Sequence, residues 1–239
     1  MGPAATADFL RRLADATPAK RDQDHIPVIV YADPTTPDRS HAVERGGEDP
    51  LPKLVAGIRF LDESGVTAIA IPCNSAHLWY DEMQAETNIP ILHIADAARH
   101  RLATDLHLHA TIGLIGTEAT LHSELYQRRL RDVGFTTILP GAGIAMDNLM
   151  SGIRAVKAGQ VDEGRHLLIA AAAGLAERGA EAVMIACTDI SVALADDVRV
   201  AGVPIIDANS ELALACTRVL GRVSTDTSAL RERASLDPD

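Results

Sequence analysis

Two of the three cysteines in this 239-residue chain stand in matched surroundings. Gly65, Ala68, Ile69, Ile71 and Cys73 recur, with Val for one Ile, as Gly179, Ala182, Val183, Ile185 and Cys187 at the same offsets. An apolar triplet follows each thiol at the same distance, Ile89-Pro90-Ile91 and Val203-Pro204-Ile205. Polar residues come directly after both, Asn74 and Ser75 (then Ala76 and His77) in one copy and Thr188 in the other. A thiol at a helix N-terminus has its pKa drawn from about 8.5 towards neutrality, and the free N–H groups there bind carboxylates. Two such thiols on either side of a bound carboxylate could take a proton from one face of a carbon and return one to the other. That is racemisation by two acid/base groups. A single cysteine more often packs as a small buried hydrophobe, but the matched pair favours chemistry.

The elements that must hold these thiols follow from the pattern. An apolar, β-branched run between Gly and Cys reads as a buried strand, and the residues after each Cys open a helix. Both thiols therefore fall at strand-to-helix corners. Strands are expected at 26–31, 66–71, 89–94, 111–115, 136–139, 182–186 and 203–206, alternating with helices. Ile26-Pro27-Val28-Ile29-Val30-Tyr31 reads as buried, and Asp33 to Ser40 as a Pro-rich loop. Thr117 or a neighbour caps the helix after 111–115. The fold class is α/β, two similar domains, each a parallel sheet flanked by helices, with the site in the cleft beyond the carboxyl ends of the strands. The first domain is placed at 1–108 and the second at 109–207. The helix at 209–222 packs back on the first, and 223–239 is a polar, frayed tail.

Composition narrows the partners. The chain has 22 basic against 33 acidic residues, a net charge of -11, which argues against nucleic acid and anionic membrane. An anionic substrate must then be met by a few focused cations. Three cysteines are too few for a disulfide framework or zinc cluster and fit a reducing cytosol. No signal peptide or membrane-length apolar run is read, so a cytoplasmic protein is expected. Cys216 lies on an apolar helical face and reads as core. His107 and His109 read as a surface loop with no metal. His77 either touches the substrate or caps against Asp81; Trp79 and Tyr80 cover the cleft or an interface.

Pro72-Cys73-Asn74-Ser75-Ala76-His77 and Ala186-Cys187-Thr188-Asp189 resemble the two cysteine motifs of the aspartate/glutamate racemases that need no pyridoxal phosphate. Gly113 to Thr120 and Pro37-Asp38-Arg39-Ser40 resemble the aspartate racemase branch, and the likeness runs from Met1 to about Leu220. The resemblance implies a homodimer with no cofactor and a small dicarboxylic amino acid as substrate. Cys73 and Cys187 would be the catalytic acid/base thiols, one serving each enantiomer. Asn74, Ser75, Ala76 and Thr188 would hold the α-carboxylate. Arg39 and Lys157 would meet the side-chain carboxylate, where Arg supplies a bidentate fork. Thr117 and Met1 complete the implied substrate-binding set. Read without the resemblance, Lys157 is a solvated helix-end lysine, and Arg39 is equally a surface arginine.

Three departures from the family pattern stand out. Ser75 replaces the usual Thr, and Asp189 stands where aspartate racemases carry Glu and glutamate racemases His. The chain also runs from Met1-Gly2-Pro3 straight into a helical pattern, where relatives begin with a strand. A missing sheet member would expose apolar edge. The rival readings are a glutamate or hydantoin racemase, a related isomerase or decarboxylase, and a small-acid binding protein without turnover.

Overall fold

A computed structural model describes residues 2–194 and 199–220. Pro3 opens helix α1 (Pro3–Ala16), which sets Phe9 and Leu13 into the core, as a proline at the first helical turn allows. A 3-10 turn (Asp22–Asp24) and a stretch without regular structure lead to helices α2 (Arg39–Arg45) and α3 (Leu51–Glu63). Strand β1 (Ile69–Ala70) runs to the first cysteine corner, where a 3-10 turn (Ser75–Trp79) continues into α4 (Tyr80–Ala85). Strand β2 (Ile91–Leu92) pairs in parallel with β1 and feeds α5 (Ile94–Asp105).

The second sheet carries most of the core. It is built from β3 (Thr111–Gly116), followed by α6 (Glu118–His122) and α7 (Leu125–Arg131), then β4 (Thr136–Ile138). The paired helices α8 (Ile144–Lys157) and α9 (Val161–Glu177) lead to β5 (Ala182–Ala186) and α10 (Thr188–Ala193). Strands β6 (Arg199–Val200) and β7 (Val203–Asp207) and helix α11 (Ala208–Leu220) complete it. The strand order is β4-β3-β5-β7-β6, parallel except for the β6 hairpin edge. Every residue of β5 is buried, which explains its unbroken apolar run. The larger core cluster spans this sheet, α1, α5 and α11. A smaller cluster gathers Leu54 and Ile58 of α3 with Ile69, Ile71, Cys73 and Met83. Helix α11 packs against α5 and α1.

The structure corrects several expectations. Ile26–Tyr31 forms no strand and pairs in no sheet among the described residues, and Val28, Ile29 and Val30 are 46–48% exposed. A β-branched run becomes a buried strand only where another strand satisfies its backbone, and none among the described residues pairs with this one. The strands expected at 66–71 and 89–94 shrink to two paired residues each. Arg39 and Ser40, expected in a loop, open α2 instead, because Asp38 caps it by accepting from the His41 amide. The polar tail expected at 223–239 lies outside the described residues.

Candidate active site

The two cysteine corners, the N-terminus of α2 and the C-terminus of α8 surround one cavity of about 370 Å³. Cys73 and Cys187 both line it, at 8% and 5% exposure. Strand β5 ends at Ala186, so Cys187 is the N-cap of α10. Beside it, Gly116 ends β3 in register with Ala186. A Cβ at Gly116 would sit 2.8 Å from the Ala186 carbonyl oxygen, so glycine permits the close approach that brings Thr117 next to Cys187. Thr117 caps α6, accepting from the Thr120 amide.

Side-chain hydrogen bonds tie the first corner to the second and to α7. Thr188 Oγ1 donates to the Pro72 carbonyl at 3.2 Å. The buried Tyr126 hydroxyl on α7 donates to Asn74 Oδ1. His77 does neither thing expected of it. Its Nε2 accepts from the Ile94 amide at 3.3 Å, so Nδ1 carries the proton and donates to the Cys73 carbonyl at 2.9 Å. Burial lowers the His77 pKa to about 4, which keeps the ring neutral in this bracing role. Tyr80 donates to the Ile91 carbonyl, and Trp79 packs on the smaller core cluster.

The two thiols have different surroundings. Cys73 Sγ lies 3.7 Å from the Ser75 hydroxyl. Cys187 Sγ donates towards Asp189 Oδ2 at 3.8 Å. Burial, then the Asp189 carboxylate, push the Cys187 thiol up to about 12, against Lys157 and the Asp189 and Ile190 amides. The expectation of a lowered thiol pKa therefore fails here: α10 is short, and burial beside a carboxylate outweighs its N-terminus.

Two cations, Arg39 and Lys157, and two carboxylates, Asp38 and Asp189, line the cavity. Arg39 Nη1 donates to the Thr36 and Pro37 carbonyls at 3.1 and 2.6 Å, which fixes the guanidinium. Lys157 Nζ stands 3.7 Å from Asp189 and 4.0 Å from Asp38. Burial alone would lower the Lys157 pKa, but Asp189, Cys187, Asp38 and Cys73 together raise it, so it is an ammonium. Arg39 Nε and Asn74 Nδ2 are buried donors that find no partner among the described residues. Such donors call for an acceptor, and a carboxylate supplies one.

Of the residues singled out in the sequence, Cys73, Cys187, Arg39, Asn74, Ser75, Thr117, Lys157 and Thr188 meet at this cavity. Ala76 lies fully buried in the smaller core cluster, off the cavity wall. Met1 lies outside the described residues. Sequence reasoning missed Gly2, Thr36 and Asp38 as cavity residues. Asp38 stood within the Pro37–Ser40 motif and could have been found there; Gly2 and Thr36 carried no signal. Cys216 is buried on α11, and His107 pairs on the surface with Glu181 at 3.5 Å. No helix among the described residues is long and apolar enough to cross a membrane.

Comparison with known proteins agrees with this arrangement. The chain is 28% identical over 218 residues, 89% of its length and 92% of the relative's, to the broad-specificity amino-acid racemase RacX of Bacillus subtilis (strain 168). The structure of Picrophilus torridus aspartate racemase is similar with a TM-score of 0.81 and 30% identity, over 92% of this chain and 90% of that one. An aspartate racemase homologue from Pyrococcus horikoshii OT3 shares the fold, with a TM-score of 0.70 and 18% identity over 94% and 95% of the two chains. The profile of the Asp/Glu/Hydantoin racemase family matches residues 1–216, and the chain belongs to that family.

Proposed function

We propose that this chain is an aspartate racemase that works without pyridoxal phosphate, through two thiols. The observation that carries this reading is that Cys73 and Cys187 line one cavity together with Arg39 and Lys157. Two cations suit a substrate with two carboxylates, and they offset the acidic average of the chain. The α-carboxylate would be held by Asn74, Ser75 and Thr188, and the side-chain carboxylate by Arg39 and Lys157. Cys73, as thiolate, would remove the α-proton from one enantiomer while Cys187, held as a thiol by its surroundings, returns a proton to the opposite face. The other enantiomer is taken by the reverse arrangement, Cys187 as thiolate and Cys73 as thiol. No proton is gained or lost overall. Fixed N–H donors stabilise the carbanionic transition state.

The family likeness further supports a homodimer in the cytoplasm and a division into domains near residue 108. Similarity to a broad-specificity racemase makes substrate range part of the test. In D2O, without pyridoxal phosphate, the chain should exchange the α-proton of L-aspartate and form D-aspartate, followed by NMR and chiral chromatography. Cys73→Ser and Cys187→Ser should each reduce racemisation roughly a hundred- to ten-thousandfold, as loss of an acid/base group does. A panel with L-glutamate and L-alanine separates a dicarboxylate enzyme from a broad one. Absence of exchange with every amino acid would leave a small-acid binding protein.

A further inference from the structure

We infer that Tyr126 is a positioning residue that aims the Asn74 amide at a ligand carboxylate. The inference rests on reading the cavity as a carboxylate site. Asn74 follows Cys73 on the first corner, whereas Tyr126 sits on α7, 52 residues away, with 1% exposure. Its hydroxyl donates to Asn74 Oδ1. Asn74 lines the cavity at 3% exposure, and its Nδ2 finds no partner among the described residues.

The direction of the amide follows from the hydroxyl. A tyrosine O–H both donates and accepts, so the amide could in principle stand either way round. Turned over, it would leave the buried hydroxyl proton without an acceptor and present Oδ1, with its lone pairs, to the cavity. As it stands, the hydroxyl proton is satisfied and the unpaired atom is a donor. Burial pushes the Tyr126 pKa well above its ordinary value, and Asp207 adds to the effect, so the donor persists at high pH. A buried donor left open at a cavity wall beside Arg39 suits an anion. Tyr126 thus specifies, from α7, that Asn74 recognises carboxylate.

Malonate, a dicarboxylate with no stereocentre to turn over, is the probe, with binding measured by calorimetry on the full chain. Wild type should bind it. Asn74→Ala should weaken binding roughly 10- to 100-fold, the effect of losing one hydrogen bond to a charged group. Tyr126→Phe, which removes a single oxygen and leaves the ring packed, should weaken it about tenfold because the amide is free to turn. In the Asn74→Ala background Tyr126→Phe should change the affinity less than about twofold, since there is no amide left to aim. Asn74→Asp should lose binding while keeping an acceptor for Tyr126. Melting temperatures report folding, and Asn74→Ser replaces Asn74→Ala if the latter does not fold. Independent, additive effects of the two changes, unaltered affinity in Tyr126→Phe, or no malonate binding by wild type would overturn the inference. Proton exchange is a separate readout: a chain that exchanges nothing yet shows the coupling keeps Tyr126 in this role and loses the racemase reading.

Discussion

The asymmetry between the thiols is a matter of single residues. Cys187 is held as a thiol by burial and then by Asp189, while Lys157 pulls the other way. Asp189 also pairs with Lys157 at 3.7 Å, so it lessens the cation's hold on any second carboxylate as well. Removing its charge should act on both. In a Cys73→Ser background, Asp189→Asn should lower the Cys187 pKa, because the thiolate no longer faces a like charge. Alkylation of Cys187 by iodoacetamide, followed by mass spectrometry, should then be roughly tenfold faster at pH 8.5, one pKa unit being a factor of ten in thiolate. Lys157→Met should move the rate in the opposite direction. An unchanged pH profile in Asp189→Asn would mean that burial alone sets this thiol.

At the scale of elements, two buried histidines tie the first corner to the strand and helix behind it. His93 caps α5 by accepting from the Ala95 amide, and its ring lies 4.8 Å from that of His77. Burial lowers His77 from 6.5 to about 4, and burial and then His77 lower His93 from 6.5 to about 2. Both rings are therefore neutral in the fold and protonate more readily once unfolded. For a depressed folded pKa the stability is present above the unfolded value and lost as pH falls below it. Urea unfolding between pH 6 and 5 should show this as a loss approaching 1.4 kcal/mol per pH unit for each ring. His93→Asn, which keeps an acceptor at the cap, should lower the slope by one ring's share; Glu211, raised by burial to about 7, opposes both rings in this window and is common to wild type and variant. A slope unchanged by the substitution would place the acid sensitivity elsewhere. The duplicated corners, the first of which this pair braces, were legible in the sequence, because a repeat of Gly, apolar run and Cys needs only local spacing to be seen. The strand role given to Ile26–Tyr31 was not, since that depends on a neighbouring strand, which no local pattern announces. The bracing role of His77 was equally hidden: it requires the Ile94 amide, 17 residues on, to meet its ring.

Across the whole molecule, the first helix is bound to the last by a buried charge network. Arg12, with a side chain 4% exposed, reaches Asp8 at 2.5 Å, Asp207 at 3.2 Å and the Ser191 carbonyl at 3.1 Å, and also donates to Ser210. Asp207 Oδ1 in turn accepts from the Ser191 hydroxyl at 2.7 Å and the Asn209 amide at 2.9 Å. Four elements, α1, α10, β7 and α11, thus share one guanidinium. Two of them start at the cavity: α1 follows Gly2, and α10 follows Cys187. Truncating the arginine leaves buried carboxylates without compensation, a situation that costs about 3–5 kcal/mol. Arg12→Met should lower the unfolding free energy by that amount in urea. Combining it with Asp8→Asn and Asp207→Asn should recover most of the loss, because the penalty comes from stranded charge and not from absent attraction. A loss below about 1 kcal/mol for Arg12→Met, a value typical of exposed pairs, would show that water reaches the network. Where the full loss is found, ligand affinity should fall with it, since the same guanidinium fixes the helix that presents Thr188.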